Sequence, residues 1–152
     1  MSLTVAVISD THSVFRPEVA LAIRGCDCVI HAGDFADERT YDAIFGMSIV
    51  YAVRGNNDWY IDRMLPKTHR FKLEGLNFFL VHNRMDIPPG LSDVDVVVFG
   101  HSHRYFEEVH NGVLWLNPGS CGRRRFGRSE LSFAIMKIDG KKYTVEKQVI
   151  TG

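Results

Sequence analysis

Three short apolar, β-branched runs stand in the first third of the chain, and each ends in side chains that bind protons or metals. Leu3 to Ser9 runs into Asp10, Cys28 to His31 is followed by Gly33-Asp34, and Ile49 to Val53 by Gly55-Asn56. Runs without polar alternation read as strands buried on both faces. Helical spacing separates them. Arg16-Pro17-Glu18-Val19 opens one helix with proline in its first turn and apolar positions at Val19, Ala22 and Ile23, and Gly25 closes it. Asp37 to Phe45 reads as a second helix, N-capped by Asp37 and stopped by Gly46.

The second half has a different pattern. Phe71 to Leu73 and Asn77 to Val81 flank Gly75 as a hairpin, and Val94 to Phe99 is a fully buried strand. Tyr105 to Val109 and Val113 to Leu116 flank Asn111-Gly112, and Leu131 to Ile138 and Tyr143 to Ile150 flank Asp139-Gly140. Both dipeptides are strong hairpin signals. The order, βα units and then antiparallel hairpins, predicts an α/β fold: a four-layer αββα sandwich of two mixed β-sheets flanked by helices. At 152 residues, with no linker-like stretch, one domain over 1–152 is expected.

Composition narrows the partners. Eighteen basic and eighteen acidic residues cancel, so there is no global attraction to nucleic acid or to an anionic membrane. No apolar run approaches membrane-spanning length, and nothing resembles a leader. Cys26, Cys28 and Cys121 match no zinc or redox spacing. The expectation is a cytoplasmic chain with reduced thiols.

The donors fall into an order. Asp10 and His12 follow the first strand, Asp34 the second and Asn56 the third, while His82 follows the strand ending at Val81 and His101 and His103 follow the one ending at Phe99. Every one lies just past the C-terminal end of a predicted strand, the edge where open α/β sheets build their sites. Imidazole, carboxylate and amide oxygen together suit divalent manganese, iron, zinc, cobalt or nickel. Residues two apart in extended chain point the same way, so Asp10-x-His12 and His101-x-His103 each send two side chains to one place. Glycine before Asp34, Asn56 and His101 permits close approach.

This series, Asp10-Thr11-His12, Gly33-Asp34-Phe35-Ala36-Asp37, Gly55-Asn56-Asn57-Asp58, His82 and Gly100-His101-Ser102-His103, resembles the calcineurin-like metallophosphoesterases. Asn117-Pro118-Gly119-Ser120 and the small size resemble that family's compact bacterial and archaeal phosphodiesterases, whose fold the retromer scaffold subunit shares. The resemblance implies two divalent ions, manganese first, with Asp10, His12, Asp34 and His103 holding one and Asp34, Asn56, His82 and His101 the other. It implies hydrolysis of a small-molecule or nucleotide-like phosphodiester by a metal-bridging hydroxide. The alternative is a weakly active or non-catalytic metal-binding scaffold on the same fold, and a homo-oligomer is compatible with either.

Two further positions belong to the expected catalytic set. Many of the family carry histidine where this chain has Asn57, and asparagine donates hydrogen bonds but cannot serve as a general acid. That implies substrates with good leaving groups. Asp58 reads either as support for the site or as a turn aspartate. Arg123 to Arg128 is the densest basic stretch, either a contact to substrate phosphate or to nucleic acid, or a solvated loop. Trp59, Tyr60 and Trp115 read as packing residues.

Overall fold

Strand and helix alternate as far as residue 52 in the computed structural model, which describes residues 2–58, 65–123 and 130–151. β1 (Ser2–Ile8), β2 (Cys28–His31) and β3 (Ile49–Ala52) are parallel. α1 (Pro17–Arg24) and α2 (Glu38–Phe45) make the two crossovers. Pro17 begins α1, and the Asp37 carboxylate accepts the Thr40 N–H at 2.8 Å, capping α2. β4 (Thr68–Leu73), β5 (Leu76–Val81), β6 (Val96–Val98), β7 (Tyr105–His110) and β8 (Val113–Pro118) form a second sheet in the order β4-β5-β6-β8-β7. β9 (Leu131–Asp139) and β10 (Lys142–Ile150) return to the first sheet, whose order is β10-β9-β1-β2-β3.

Both sheets are mixed, as expected, and their inner faces meet. Val5 and Val7 of β1 pack with Ile30, Phe78, Leu80, Val96, Val98, Leu116 and Met136 between the sheets. The intervening Ala6 and Ile8 turn outward to Val19 and Ile23 of α1 and Ile44 of α2. A period of two with both faces apolar therefore explains the unbroken runs. Asn111 and Gly112 both take positive φ, 51° and 77°, the turn that matches the twist of a two-residue hairpin.

The structure adds three things to the sequence reading. The second half is not purely antiparallel: β5, β6 and β8 run parallel. The last hairpin joins the first sheet, β9 pairing antiparallel with β1. The outer face of the second sheet, with Phe79, Val97, Phe99 and the half-buried Trp115, is covered by a 3-10 turn at Arg84–Asp86 and irregular chain rather than by an α-helix among the described residues. At the sheet ends away from the β1 and β5 C-termini, the Gly75 N–H donates to the Gly140 carbonyl at 2.7 Å and ties the two sheets together. No helix among the described residues is long and apolar enough to cross a membrane. Trp59, Tyr60 and residues 124–128 of the basic stretch lie outside the described residues.

Leu80 is fully buried between the sheets, so Leu80→Ala removes packing that neither sheet can collapse to replace. A loss of ~2–5 kcal/mol in urea denaturation is expected.

Candidate metal centre

Five strands, β1, β2, β3, β5 and β6, end at the same edge of the sandwich, and the loops beyond them bring the seven donors together. Asp10 Oδ1 lies 3.5 Å from His12 Nε2 and 3.4 Å from His103 Nε2, and those two nitrogens are 3.0 Å apart. Asp34 Oδ2 lies 3.5 Å from His12 Nε2 and 3.3 Å from His82 Nε2. Asn56 Oδ1 and His101 Nδ1 approach His82 Nε2 at 3.1 and 3.3 Å. Asp10, His12 and His103 form one trio with ligand atoms within 4.8 Å of one another, and Asp10, Asp34 and His82 form a second.

The backbone brings the donors together differently from the sequence reading. Asp10-x-His12 and His101-x-His103 are not extended. All four take positive φ, 55°, 46°, 73° and 63°, as does Asp34 at 65°. Left-handed backbone costs on the order of 1–3 kcal/mol at a non-glycine residue and clusters at functional sites. Loop-to-loop bonds hold it here. The Asp10 N–H donates to the Gly33 carbonyl at 2.9 Å and the His12 N–H to the Asp34 carbonyl at 3.0 Å. Close approach does require glycine before each of Asp34, Asn56 and His101, Gly33 lying against the Gly55 backbone and the His82 ring. A methyl on Gly55 would overlap the Asp34 carboxylate, and one on Gly100 would overlap the Ser9 hydroxyl.

Charge decides what the cluster needs. Asp10 is wholly buried. Its Oδ2 accepts from the Ser9 hydroxyl at 2.6 Å and the His101 N–H at 3.1 Å, whereas Oδ1 faces the cluster with no hydrogen-bond donor. Burial would raise this carboxyl, but His103, His12 and His82 hold it far below the usual range. Burial likewise opposes ionisation of Asp34, and His82 and the Asn57 N–H overcome it. The reciprocal effect falls on His82: burial depresses the imidazole, yet Asp34, Asp10 and the Ala32 carbonyl raise it to about 9. Its Nδ1–H donates to that carbonyl at 2.8 Å, directing Nε2 at the carboxylates. The inward atom of the Asn56 amide lies 3.1 Å from His82 Nε2 and 3.1 and 3.3 Å from the Asp34 oxygens. With nitrogen there the amide donates to Asp34; with oxygen there it would serve as a ligand to a cation. An orphaned buried carboxylate oxygen, converging imidazole nitrogens and an amide oxygen fit divalent metal.

The remaining expected residues stand one layer out. Asn57 donates to Asp34 through its backbone N–H at 2.9 Å and its side-chain amide at 3.1 Å. Asp58 is fully buried and does not enter the cluster. Its carboxylate accepts the N–H groups of Asp34, Gly55 and Ala36 at 2.7, 2.8 and 2.9 Å, joining the second and third loops. The buried Asn117 amide donates to the Gly100 carbonyl at 3.1 Å and the Ser102 hydroxyl at 3.0 Å, bracing the His101 loop. His31 had no role in the sequence reading. Its Nδ1 accepts the Gly33 N–H at 3.0 Å, which leaves Nε2–H to donate to the Thr11 hydroxyl at 3.1 Å. Phe35 stacks on the ring at 3.6 Å. The one signal for it in the sequence is a histidine ending an apolar strand two residues before Gly33-Asp34.

Comparison with known proteins agrees with this geometry. Residues 3–141 match the model of the calcineurin-like phosphoesterase superfamily domain. A probable metallophosphoesterase of Methanothermobacter thermautotrophicus is 28% identical over 95% of this chain and 91% of its own. A phosphodiesterase of Methanocaldococcus jannaschii is 31% identical over 78% of this chain and 84% of its own. The crystal structure of wild-type Vps29 from Entamoeba histolytica complexed with Zn2+ has a TM-score of 0.76 at 24% identity, covering 97% of this chain and 98% of that one. The chain belongs to the calcineurin-like phosphoesterase superfamily.

Two outcomes follow from the supporting layer. Asp58→Asn replaces an acceptor with a donor facing backbone N–H groups, and a ~10–100-fold loss of manganese affinity by calorimetry is expected, with the far-ultraviolet circular dichroism retained. Unchanged affinity would leave Asp58 only a turn residue. Burial depresses His31 from its ordinary 6.5 to about 3. Between those values the unfolded chain binds a proton there that the native state refuses, so its contribution is present above 6.5 and is lost as pH falls. In metal-free protein with chelator, His31→Gln is expected to remove up to about 1.4 kcal/mol per pH unit of the acid-side slope in denaturation free energy.

Proposed function

We propose that this member of the superfamily is a phosphodiesterase dependent on two divalent ions, one held by Asp10, His12, Asp34 and His103 and the other by Asp34, Asn56, His82 and His101. The observation that supports this reading is the position of Asp34 Oδ2, 3.5 Å from His12 Nε2 and 3.3 Å from His82 Nε2, within reach of both groups of donors. Manganese is our first choice of metal, with iron, zinc, nickel and cobalt compatible with the same donors. When bound, such ions supply Lewis acidity: they activate water and neutralise charge on the phosphoryl oxygens.

The chain's own residues do the rest. The Ser9 hydroxyl and His101 N–H fix one oxygen of Asp10 so that the other faces inward. Asn57 orients Asp34, and Asp58 sets the loop that carries it. Asn57 cannot hand a proton to a departing alkoxide, because its amide donates hydrogen bonds but does not act as an acid. The favoured substrates are therefore small or nucleotide-like diesters whose leaving group departs as a stable anion. Missing general-acid help costs on the order of 10²–10⁴-fold on unactivated esters. A relative named a phosphodiesterase agrees with this reading. The scaffold alternative rests on likeness of fold to Vps29, which binds Zn2+ in one structure, so the donors do not separate the two readings; relatives named phosphodiesterases favour the enzyme. Three unpaired thiols, Cys26, Cys28 and Cys121, agree with work in the reducing cytoplasm.

The test is hydrolysis of bis(4-nitrophenyl) phosphate with added manganese. Wild-type protein is expected to turn over and to carry two ions per chain by elemental analysis, and Asp34→Asn to lose on the order of 10²-fold or more in kcat. Equal rates in that variant, or no metal-dependent rate at all, would reject the assignment.

A further inference from the structure

The donor cluster opens on one side into a cavity of about 350 Å3. Asn56, His82 and His101 form its wall toward the cluster, and Arg54, Lys67 and Asp86 stand around the rest. This volume lies at the lower end of the ~300–1,000 Å3 typical of small-molecule sites.

Arg54 is placed by the segment that leads into β4. Its backbone N–H donates to the Pro66 carbonyl at 2.9 Å, and its Nη1 donates to the Leu65 carbonyl at 3.2 Å. Among the described residues no carboxylate pairs with its guanidinium. That segment also carries Lys67, whose ammonium lies 3.6 Å from Asp86. Both partners are largely exposed, at 60% and 41%, so this ion pair is weak and exchanges readily for a better anion. A planar guanidinium with most of its fork uncommitted can receive a phosphate dianion through two parallel hydrogen bonds, and the Lys67 ammonium lines the same cavity.

The charge on the scissile group does not account for these two cations. A diester phosphoryl carries one negative charge, and the metal centre faces it. Arg54 and Lys67 stand beyond the donors, where the rest of a substrate would extend. The chain as a whole has no net charge, so this local pair is a feature of the cleft rather than of a generally basic surface.

We infer that the substrate is a small phosphodiester bearing a second anionic group, a terminal phosphate, that is seated between Arg54 and Lys67 while the diester lies at the metal centre. The inference rests on the phosphodiesterase reading and names the class of substrate for that site.

The experiment uses two diesters that share one scissile bond and one leaving group: thymidine 5′-(4-nitrophenyl phosphate) and the same compound phosphorylated at its 3′ oxygen. With manganese, wild-type kcat/KM is expected to be roughly ten-fold higher for the phosphorylated compound, the scale of a hydrogen-bonded charge pair. The ratio should shrink with added salt. Arg54→Gln with Lys67→Gln should bring it close to one, and Arg54→Lys should retain part of it. Equal rates on both compounds in wild type, or a ratio untouched by the paired glutamines, would overturn the inference and leave the phosphodiesterase reading intact. A larger gain from lengthening the ester into an oligonucleotide would also overturn it, assigning the cleft to a nucleic-acid strand. Hydrolysis of neither compound would reject the phosphodiesterase reading itself, and the inference with it.

Discussion

Two carboxylates withdrawn from water, Asp10 and Asp34, present ligand atoms within 4.8 Å of each other, and such a pair is intolerable without positive charge beside it. Much of the local structure answers that demand. His12, His82 and His103 turn ring nitrogens toward the pair, and the two carboxylates in turn raise the His82 imidazole. A divalent ion meets the same need with more charge and with lone pairs as its natural partners. Asp58, Asn117 and His31 then hold the loops by satisfying backbone groups that the unusual local conformation leaves without sheet partners.

The strands were legible because burial on both faces leaves no alternation to confuse. Leu3 to Ser9 and Val94 to Phe99 read as strands for that reason; the strands are Ser2–Ile8 and Val96–Val98, and Val5 to Ile8 and Val96 to Phe99 are buried. Asn111-Gly112 was legible because few other dipeptides accept two positive φ angles in succession. The sheet to which β9 and β10 belong was not, since a hydrophobic pattern states that a face is covered and not what covers it. The short cover over Phe79, Val97 and Phe99 escaped for the same reason.

At the site, residue types were legible and backbone was not. Aspartate, asparagine and histidine at successive strand ends announce their chemistry by identity. The left-handed turns at Asp10, His12, Asp34, His101 and His103 are imposed by contacts between loops distant in sequence, such as Asp10 N–H to Gly33 and Ser120 hydroxyl to the Asp10 carbonyl at 3.0 Å. His31 shows the limit from the other side. A buried histidine is indistinguishable in sequence from strand filler until Thr11 and Gly33 are seen against its two nitrogens.

The bond from Gly75 to Gly140 takes on a further meaning once the donors are sorted by sheet. Asp10, His12, Asp34 and Asn56 hang from the first sheet, and His82, His101 and His103 from the second. The sandwich is thus pinned at one end by a backbone hydrogen bond between two turns, and at the other by bonds such as His82 Nδ1–H to the Ala32 carbonyl and His101 N–H to Asp10, where the seven donors converge. A divalent ion bound there would add a further cross-link between the two halves, closing loops of about ninety residues as a disulfide does, but reversibly. Metal binding and cohesion of the two sheets would then be linked equilibria.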